Sequence, residues 1–291
     1  MKTGYVAVVG KTNAGKSTLI NKLLKFKLNI VSNKKQTTRN NILGILTEGE
    51  NQLIFIDTPG IHKSQNQLDK FMNKSVRSAS EGADVVVYLI DATKEIKEDE
   101  IESIKSLKNK VENLILGVNK IDFVQKEKLA EILVKLNETG ANEIVPISAK
   151  NGKNVDELKN EIIKLLPEGE FVFGEDEITD KSTKFLCSEI VREKVLNFTN
   201  QEIPHGVFCD VVSFKETQKL VEILVDIICE KDSHKSIIIG KGGQALKRIG
   251  TSARIDIEKL LGKKVMIKLY VKVEKDWRNK QNFLISSGYN N

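Results

Sequence analysis

Short hydrophobic runs alternate with longer segments of helical period over the first 166 residues. The hydrophobic runs include GYVAVVG, NQLIFI, ADVVVYLI, NLILGV and EIVPI, and the helical segments include KSTLINKLLK, EDEIESIKSLK, KEKLAEILVKL and VDELKNEIIKLL. Runs that are hydrophobic at nearly every position are typical of strands buried on both faces of a parallel sheet. Residues 1–167 are therefore predicted to form a doubly wound α/β domain.

The pattern changes after residue 167. Residues 168–183 contain glycine and an acidic cluster, and they are predicted to be a linker. Residues 184–291 then show a helix over KFLCSEIVREKVLNFT, two strands over GVFCDVVSF and KLVEILVDIICE, a glycine turn in IIIGKGG, a long helix and a last strand over KVMIKLYVKV. The predicted order α-β-β-α-α-β indicates a small α+β domain, with a three-stranded sheet, helices on one face and a frayed tail ISSGYNN.

Composition narrows the class of protein. The chain has 291 residues and is 40% hydrophobic, enough for a sizeable core, while its apolar runs are too short to span a bilayer. The chain opens directly on a strand pattern without a secretory signal, so we expect a cytoplasmic protein. The three cysteines have no CxxC spacing, so we expect them to be reduced and buried rather than metal ligands.

The positive charge is concentrated near the C-terminus. The formal net charge is +6, but residues 231–280 hold 14 Lys and Arg against five Asp and Glu, a net of +9, which leaves −3 for the rest. Such a segment is typical of a phosphate-binding surface. A solvated lysine-rich face would give the same count, so both interpretations stay open.

The octapeptide GKTNAGKS fits G-x-x-x-x-G-K-[ST] and lies between a predicted strand and a predicted helix. Backbone N–H groups and the helix N-terminus would face phosphate oxygens. Lys16 would reach the β and γ phosphates, and the Ser17 hydroxyl would bind Mg²⁺. The predicted phosphate-binding residues are Gly10, Lys11, Thr12, Asn13, Ala14, Gly15, Lys16 and Ser17.

Three further motifs follow predicted strands. In DTPG, the Asp57 carboxylate would hold a water of the Mg²⁺ shell and the Gly60 N–H would approach the γ phosphate. In NKID, one carboxylate, Asp122, can accept both adjacent donors of guanine, whereas adenine offers no such pair. Asn119 would lie beside the base, Lys120 would cover it, and a backbone N–H of SAK would meet guanine O6. The predicted nucleotide contacts are Asp57, Thr58, Pro59, Gly60, Ile61, Asn119, Lys120, Ile121, Asp122, Ser148, Ala149 and Lys150.

The second domain contains a G-x-x-G loop between an apolar run and a basic helix. Such a loop can clamp the backbone of a few single-stranded nucleotides, because glycines permit close approach and lysine meets phosphate. The predicted RNA-binding residues are Gly240, Lys241, Gly242, Gly243, Lys247, Arg248 and Arg254. A glycine joint between two helices without a ligand is the alternative interpretation.

The motifs occur in the order of a GTPase of the translation-factor-related class, and within it the chain resembles the Era family of bacterial ribosome-assembly GTPases. The resemblance extends through NKKQTTRNNILGI, similar to that family's effector loop, and through SEIVREKVL, QEIPHGV, GKGG and VKVEKDWR, similar to its C-terminal type II KH domain. It implies that Thr38, rather than Thr37, is the Mg²⁺ ligand that closes over GTP. It also implies a monomer that binds the 3′ end of small-subunit ribosomal RNA, assists small-subunit assembly and contacts the inner face of the membrane peripherally.

The water-positioning group differs from the Ras pattern. Ras-type enzymes carry a glutamine after DTPG, whereas this chain has Ile61, which cannot hydrogen-bond. The resemblance implies slow intrinsic turnover and acceleration by a partner; His62 is an alternative base, although phosphoryl transfer depends more on positioning than on a base. Related GTPases with asparagine at the Asn13 position use K⁺ there, which would add positive charge. Asn13 could instead serve only because it tolerates a left-handed backbone.

Two other functions remain open at this stage. A signalling or membrane-associated GTPase could use the second domain to bind protein or acidic lipid instead of RNA. An ATP-using P-loop enzyme would share the phosphate loop but not the guanine-specific role of Asp122.

Overall fold

The computed structural model describes residues 1–32, 34, 37–61, 64–199 and 203–289, with only the backbone for Pro204 and His205. The chain divides into two compact units. The first comprises Met1–Asn29, Thr38–Ser64 and Asp69–Asp180, and the second comprises Ile30–Thr37, Gln65–Leu68 and Lys181–Asn291. The predicted boundaries after residues 167 and 183 stay predictions.

The first unit is built on a six-stranded sheet of order β2-β3-β1-β4-β5-β6. All neighbours are parallel except β2 and β3, which are antiparallel. The strands are β1 (Lys2–Gly10), β2 (Ile42–Glu48), β3 (Asn51–Asp57), β4 (Val85–Asp91), β5 (Leu114–Asn119) and β6 (Glu143–Pro146). The carboxyl ends of β1, β3 and β5 carry GKTNAGKS, DTPG and NKID, so the parallel sheet brings these motifs to one edge.

Helices cover both faces of this sheet. They are α1 (Lys16–Leu24), α2 (Gln67–Glu81), α3 (Glu98–Lys108), α4 (Lys126–Asn137) and α5 (Val155–Leu165). One core joins α1 and α5 to residues such as Val8 and Phe55, and the other contains residues such as Val9 and Tyr88 with α3 and α4. The doubly wound prediction is confirmed, although β2 and α2 were missed because β2 begins within the predicted effector loop and α2 is rich in polar residues.

The predicted linker runs along the β2 side of the first unit. The Gln52 side chain accepts hydrogen bonds from Val172 N and Phe173 N at 2.9 and 3.0 Å. Ile45 N donates to Ile178 O at 2.8 Å, and Leu43 N donates to the Asp180 carboxylate at 3.0 Å. Part of the β2 edge is thereby hydrogen-bonded rather than exposed.

The second unit has the predicted order α-β-β-α-α-β. Its elements are α6 (Thr183–Phe198), β7 (Phe208–Glu216), β8 (Leu220–Cys229), α7 (Asp232–Ile239), α8 (Gln244–Leu261) and β9 (Lys264–Val273). The sheet order is β7-β8-β9, with β7 antiparallel and β9 parallel to β8. Inward residues of the sheet share one core with α6 and α8, which confirms the small α+β domain.

The short segment Ile30–Thr37 belongs to the second unit through contacts with α6. The buried Arg192 guanidinium donates from Nη2 to Thr37 O at 2.5 Å and is also paired with Glu189. Val31 N donates to Glu193 Oε1 at 3.0 Å. Two successive side chains of α6 therefore hold two points on this segment.

In the described part of the C-terminal tail, residues 285–289, the first two residues are helical and Tyr289 is buried, so the prediction that ISSGYNN is frayed was wrong there. A ninth helix, α9 (Gln281–Ser286), precedes Tyr289, which is 5% exposed. Phe208 lies 5.8–6.1 Å, between ring centroids, from Trp277, Phe283 and Tyr289. Burial of these aromatic rings stabilises the tail.

The three cysteine side chains are buried. Burial raises the pKa of the Cys187 thiol to about 12. No helix in the described ranges combines the length and hydrophobicity needed to cross a membrane.

Candidate functional site

The predicted phosphate loop connects β1 to α1, and Lys16 lies underneath it. The Lys16 side chain is only 6% exposed, and its Nζ donates to Gly10 O at 3.1 Å and Lys11 O at 3.2 Å. Burial lowers the pKa of Lys16 to about 8, while nearby Asp57 opposes the shift. The ammonium is therefore mostly protonated at pH 7 and lies where it can face an anion in the loop.

Three oxygen-bearing side chains meet beside this lysine. Ser17 Oγ donates to Asp57 Oδ2 at 2.8 Å and lies 2.9 Å from Thr38 Oγ1. The other carboxylate oxygen, Asp57 Oδ1, is buried and has no hydrogen-bond partner in the part of the chain described. Hydroxyl and carboxylate oxygens are the ligands that Mg²⁺ prefers, so the donor set and the unsatisfied oxygen fit this ion.

The ionisation of Asp57 suits a cation. Burial raises its pKa to about 6, although Lys16 and the hydroxyls of Ser17 and Thr38 oppose the shift. It is therefore ionised at pH 7. The Thr37 hydroxyl instead donates to Lys34 O at 2.8 Å, and this geometry favours Thr38 as the predicted ligand.

The DTPG segment is attached directly to the phosphate loop. Thr58 Oγ1 donates to Val8 O at 2.8 Å, and Ile61 N donates to Gly10 O at 3.2 Å. A Cβ at Gly60 would lie 2.5 Å from Thr12 Cγ2 and 2.8 Å from Thr12 Cα, so only glycine fits this close approach. Pro59 is buried, whereas Ile61 is 43% exposed. The alternative base His62 lies outside the described residues.

Asn119 joins two of the predicted loops. Its Nδ2 donates to Ala14 O at 2.8 Å, and its Oδ1 accepts from Ala149 N at 2.9 Å. The residue is 3% exposed. These hydrogen bonds link the phosphate loop to SAK, a role that the sequence did not predict, and the position of Asn119 beside the base stays a prediction.

The remaining NKID and SAK residues surround the predicted base position. Lys120 Nζ forms an ion pair with Asp91 at 2.6 Å, and Asp122 is exposed in a short 3-10 turn over 121–123. Lys150 Nζ lies 5.9 Å from the centroid of the Phe123 ring. Ile121 N donates to Ile147 O at 3.3 Å, and Ser148 Oγ accepts from Asn151 N at 3.2 Å. The exposed Asp122 carboxylate has the access that the guanine prediction requires.

Lys11 and Asn13 are the exposed side chains of the phosphate loop's first half. Asn13 is exposed and has a φ of 64°, so its backbone is left-handed, as one of its two interpretations expects. Lys11 Nζ forms an ion pair at 2.8 Å with the largely buried Glu100, which also accepts from Tyr88 OH at 3.4 Å. The sequence did not single out Glu100, Tyr88 or Asp91, because nothing local separates them from ordinary core or surface residues.

The GKGG loop connects α7 to α8 and opens beside a groove of about 600 Å³. Gly240, Gly242 and Gly243 all have positive φ, and Lys241 is exposed between them. Arg248 does not line the groove; its guanidinium lies 5.0 Å from the Phe198 ring centroid. The lining residues are Gly243, Leu246, Lys247, Gly250, Thr251, Arg254, Val265, Met266, Ile267 and Leu269. Two predicted cations, Lys247 and Arg254, therefore share this groove.

Family models match both halves of the chain. Residues 5–120 match the family described as 50S ribosome-binding GTPase, and residues 202–278 match the KH domain. Together with the phosphate loop and the guanine motif, these matches define a P-loop GTPase with a C-terminal KH domain.

Full-length relatives show the family. The chain is 45% identical over 291 residues to the GTPase Era of Alkaliphilus metalliredigens (strain QYMF), covering 99% of both chains. It is 46% identical over 290 residues to that of Clostridium botulinum (strain Alaska E43 / Type E3), covering 99% of this chain and 98% of the relative. The chain belongs to the Era family of GTPases.

Two solved structures resemble the whole chain. One is a single-residue variant of Aquifex aeolicus Era bound to GDP·AlF4⁻, and the other is Era in complex with MgGDPNP and nucleotides 1506–1542 of 16S ribosomal RNA. Each has a TM-score of 0.95, 40% identity and 99% coverage of both chains. The protein is thus an enzyme that converts GTP and water to GDP and phosphate.

Proposed function

We propose that this GTPase binds the 3′ end of small-subunit ribosomal RNA through its KH domain and assists assembly of the small subunit. The observation that carries the proposal is the groove beside GKGG, which is lined by Gly243 and Gly250 and by the cations Lys247 and Arg254. The relative solved with a 16S ribosomal RNA fragment supports the same ligand.

The nucleotide site would act as the switch. Lys16 would contact the β and γ phosphates, and the oxygens of Ser17 and Thr38 would hold Mg²⁺, with Asp57 acting through a water. Mg²⁺ supplies charge neutralisation of the phosphates when bound. The Gly60 N–H would approach the γ phosphate, so that phosphate loss would release the segments around Thr38 and Gly60 together.

Intrinsic hydrolysis is proposed to be slow. The residue after Gly60 is Ile61, which has no group that could orient the attacking water. A partner that supplies this group, or that fixes the water by excluding other positions, would accelerate the reaction. The assembling small subunit is the partner that the RNA site implies.

Guanine specificity is tested by Asp122→Asn. The variant keeps the size of the side chain but removes the charge that accepts from guanine, and a good bidentate pair contributes about 1–3 kcal/mol of discrimination. We expect GTP affinity to fall by about 10- to 100-fold and xanthosine triphosphate affinity to rise. Asp156→Asn, an exposed carboxylate at the start of α5, is the matched control. Unchanged nucleotide preference would contradict the role assigned to Asp122.

A K⁺ ion at Asn13 is proposed to supply positive charge near the phosphates. We expect GTP hydrolysis to be at least about tenfold faster in KCl than in NaCl at equal ionic strength, a barrier difference of about 1.4 kcal/mol. Asn13→Gly removes the amide but accepts the left-handed backbone, so it should abolish the K⁺ effect without strain. Equal rates in the two salts would leave Asn13 with only its backbone role.

RNA binding is tested by crosslinking the purified protein to cellular RNA with a GTP analogue and Mg²⁺, followed by mapping of the sites. Crosslinks at the 3′ end of small-subunit ribosomal RNA are expected. Absence of RNA crosslinks, with capture of membrane or protein partners instead, would favour the signalling GTPase.

We place the protein in the cytoplasm as a monomer, with peripheral contact to the membrane.

A further inference from the structure

Strand β9 lies at one edge of the KH sheet, and its two faces have different surroundings. Among the strands that the structure describes, β9 pairs with β8 alone and is an edge strand. Residues of β9 and α8 together line the groove. Val265, Ile267 and Leu269 line that groove. The alternate side chains point to the opposite face, because successive residues of a strand alternate.

The outward row of β9 reads Lys264, Met266, Lys268, Tyr270 and Lys272, and every one of these residues is exposed. Tyr270 is 52% exposed, although aromatic residues make up only 5% of the chain. Met266 also lines the groove, so the groove continues around the strand onto this row. The row is thus continuous with the proposed RNA site.

The charges on this face are unevenly paired. Asp226 lies directly opposite Tyr270 on the neighbouring strand. Its carboxylate is neutralised by Lys272, whose Nζ lies 2.5 Å away. Lys264 and Lys268 form no ion pair with any residue the structure describes. At about 3.3 Å per residue these two lysines are about 13 Å apart, with Tyr270 about 7 Å beyond Lys268.

The aromatic cluster around Trp277 covers only one end of the outward face. It packs on Phe208, which pairs with Ile228 at the far end of β8. Tyr270 and the exposed Val212 remain uncovered in the described part of the chain. An exposed ring beside unpaired lysines is an arrangement in which proteins stack an unpaired base while cations meet its phosphates.

We propose that the outward row of β9 is a second contact surface for single-stranded RNA, reached by the strand as it leaves the groove. Tyr270 stacks on one base, and Lys264 and Lys268 contact phosphates. The inference rests on the proposed RNA binding of the KH domain and adds a site outside its glycine loop.

The test compares short and long RNA on the full chain with GDPNP and Mg²⁺. The short probes are RNAs of about four nucleotides, which fill the groove alone, and the long probe is the 1506–1542 fragment of 16S ribosomal RNA. Tyr270→Ala should weaken binding of the long probe by about 5- to 150-fold and leave binding of the short probes unchanged. Tyr270→Phe should bind like the original protein, and Lys268→Gln should lower the salt slope by about one.

Val212→Ala on the same face is the matched control, and thermal unfolding of each variant verifies the fold. Equal binding of the long probe by Tyr270→Ala and the original protein would overturn this inference while leaving the groove intact. A Tyr270→Ala defect seen only with acidic vesicles or with a protein partner would overturn it as well. Failure of the original protein to bind any of these RNAs would overturn both this inference and the proposed function.

Discussion

Replacing Lys16 by Met is expected to reduce GTP hydrolysis by on the order of 10²- to 10³-fold, the usual loss when one charge-stabilising donor is removed. Lys16 is the buried cation under the phosphate loop, and it is held there by the carbonyls of Gly10 and Lys11. Met preserves the length of the side chain while removing the charge that would face the β and γ phosphates. Single-turnover hydrolysis and nucleotide titration would measure the loss.

The matched control is Lys22→Met, which removes an exposed lysine from the same helix. The thermal stability of Lys16→Met should fall little, because an apolar side chain replaces a charge that burial already penalises. Hydrolysis by Lys16→Met within a factor of a few of the original rate would refute the assigned role. An equal defect in the Lys22 variant would show that the effect is not specific to the loop.

Gly242→Asp is expected to abolish RNA binding while leaving GTP affinity intact. Gly242 has φ 58° and ψ 24°, which aspartate tolerates better than most residues, and an added Cβ meets nothing within 4 Å. Two like charges about 4 Å apart near a protein surface repel by about 4 kcal/mol. A carboxylate in the loop should therefore weaken RNA binding at least about 100-fold, measured by fluorescence anisotropy.

Gly262→Asp provides the matched control for this substitution. Gly262 lies at the opposite end of α8, has φ 64° and also leaves open space for a Cβ. Both variants add one carboxylate and the same backbone strain, but only Gly242 lies in the loop. Comparable RNA affinity in the two variants would mean that the GKGG loop does not contact RNA.

The sequence was sufficient for features whose signal is local. Strands such as β4 are hydrophobic at every position before the final Asp91, and the motifs after β1, β3 and β5 occur where parallel strands end. The order of elements in the KH domain followed from periodicity and a glycine turn. These features depend on neighbours in the chain, so a single sequence contains them.

Features that depend on distant contacts could not be predicted from it. Asn119 bonds to Ala14 and Ala149, which are far away in the chain, so its linking role was invisible. Arg248 and Arg254 looked equivalent on one helix, yet only Arg254 lines the groove because Arg248 lies over Phe198. The tail was predicted wrongly for the same reason, because Tyr289 is buried against Phe208, which is far away in the chain.

The segment Ile30–Thr37, which α6 holds, leads directly into the nucleotide site. One of the positions at which the chain passes between the two compact units is the peptide bond from Thr37 to Thr38. The carbonyl of Thr37 is held by Arg192, and the next hydroxyl lies beside Ser17 and Asp57. Linkage makes any influence across this bond reciprocal: the factor by which nucleotide alters RNA affinity must equal the factor by which RNA alters nucleotide affinity. Measuring either one therefore fixes the other.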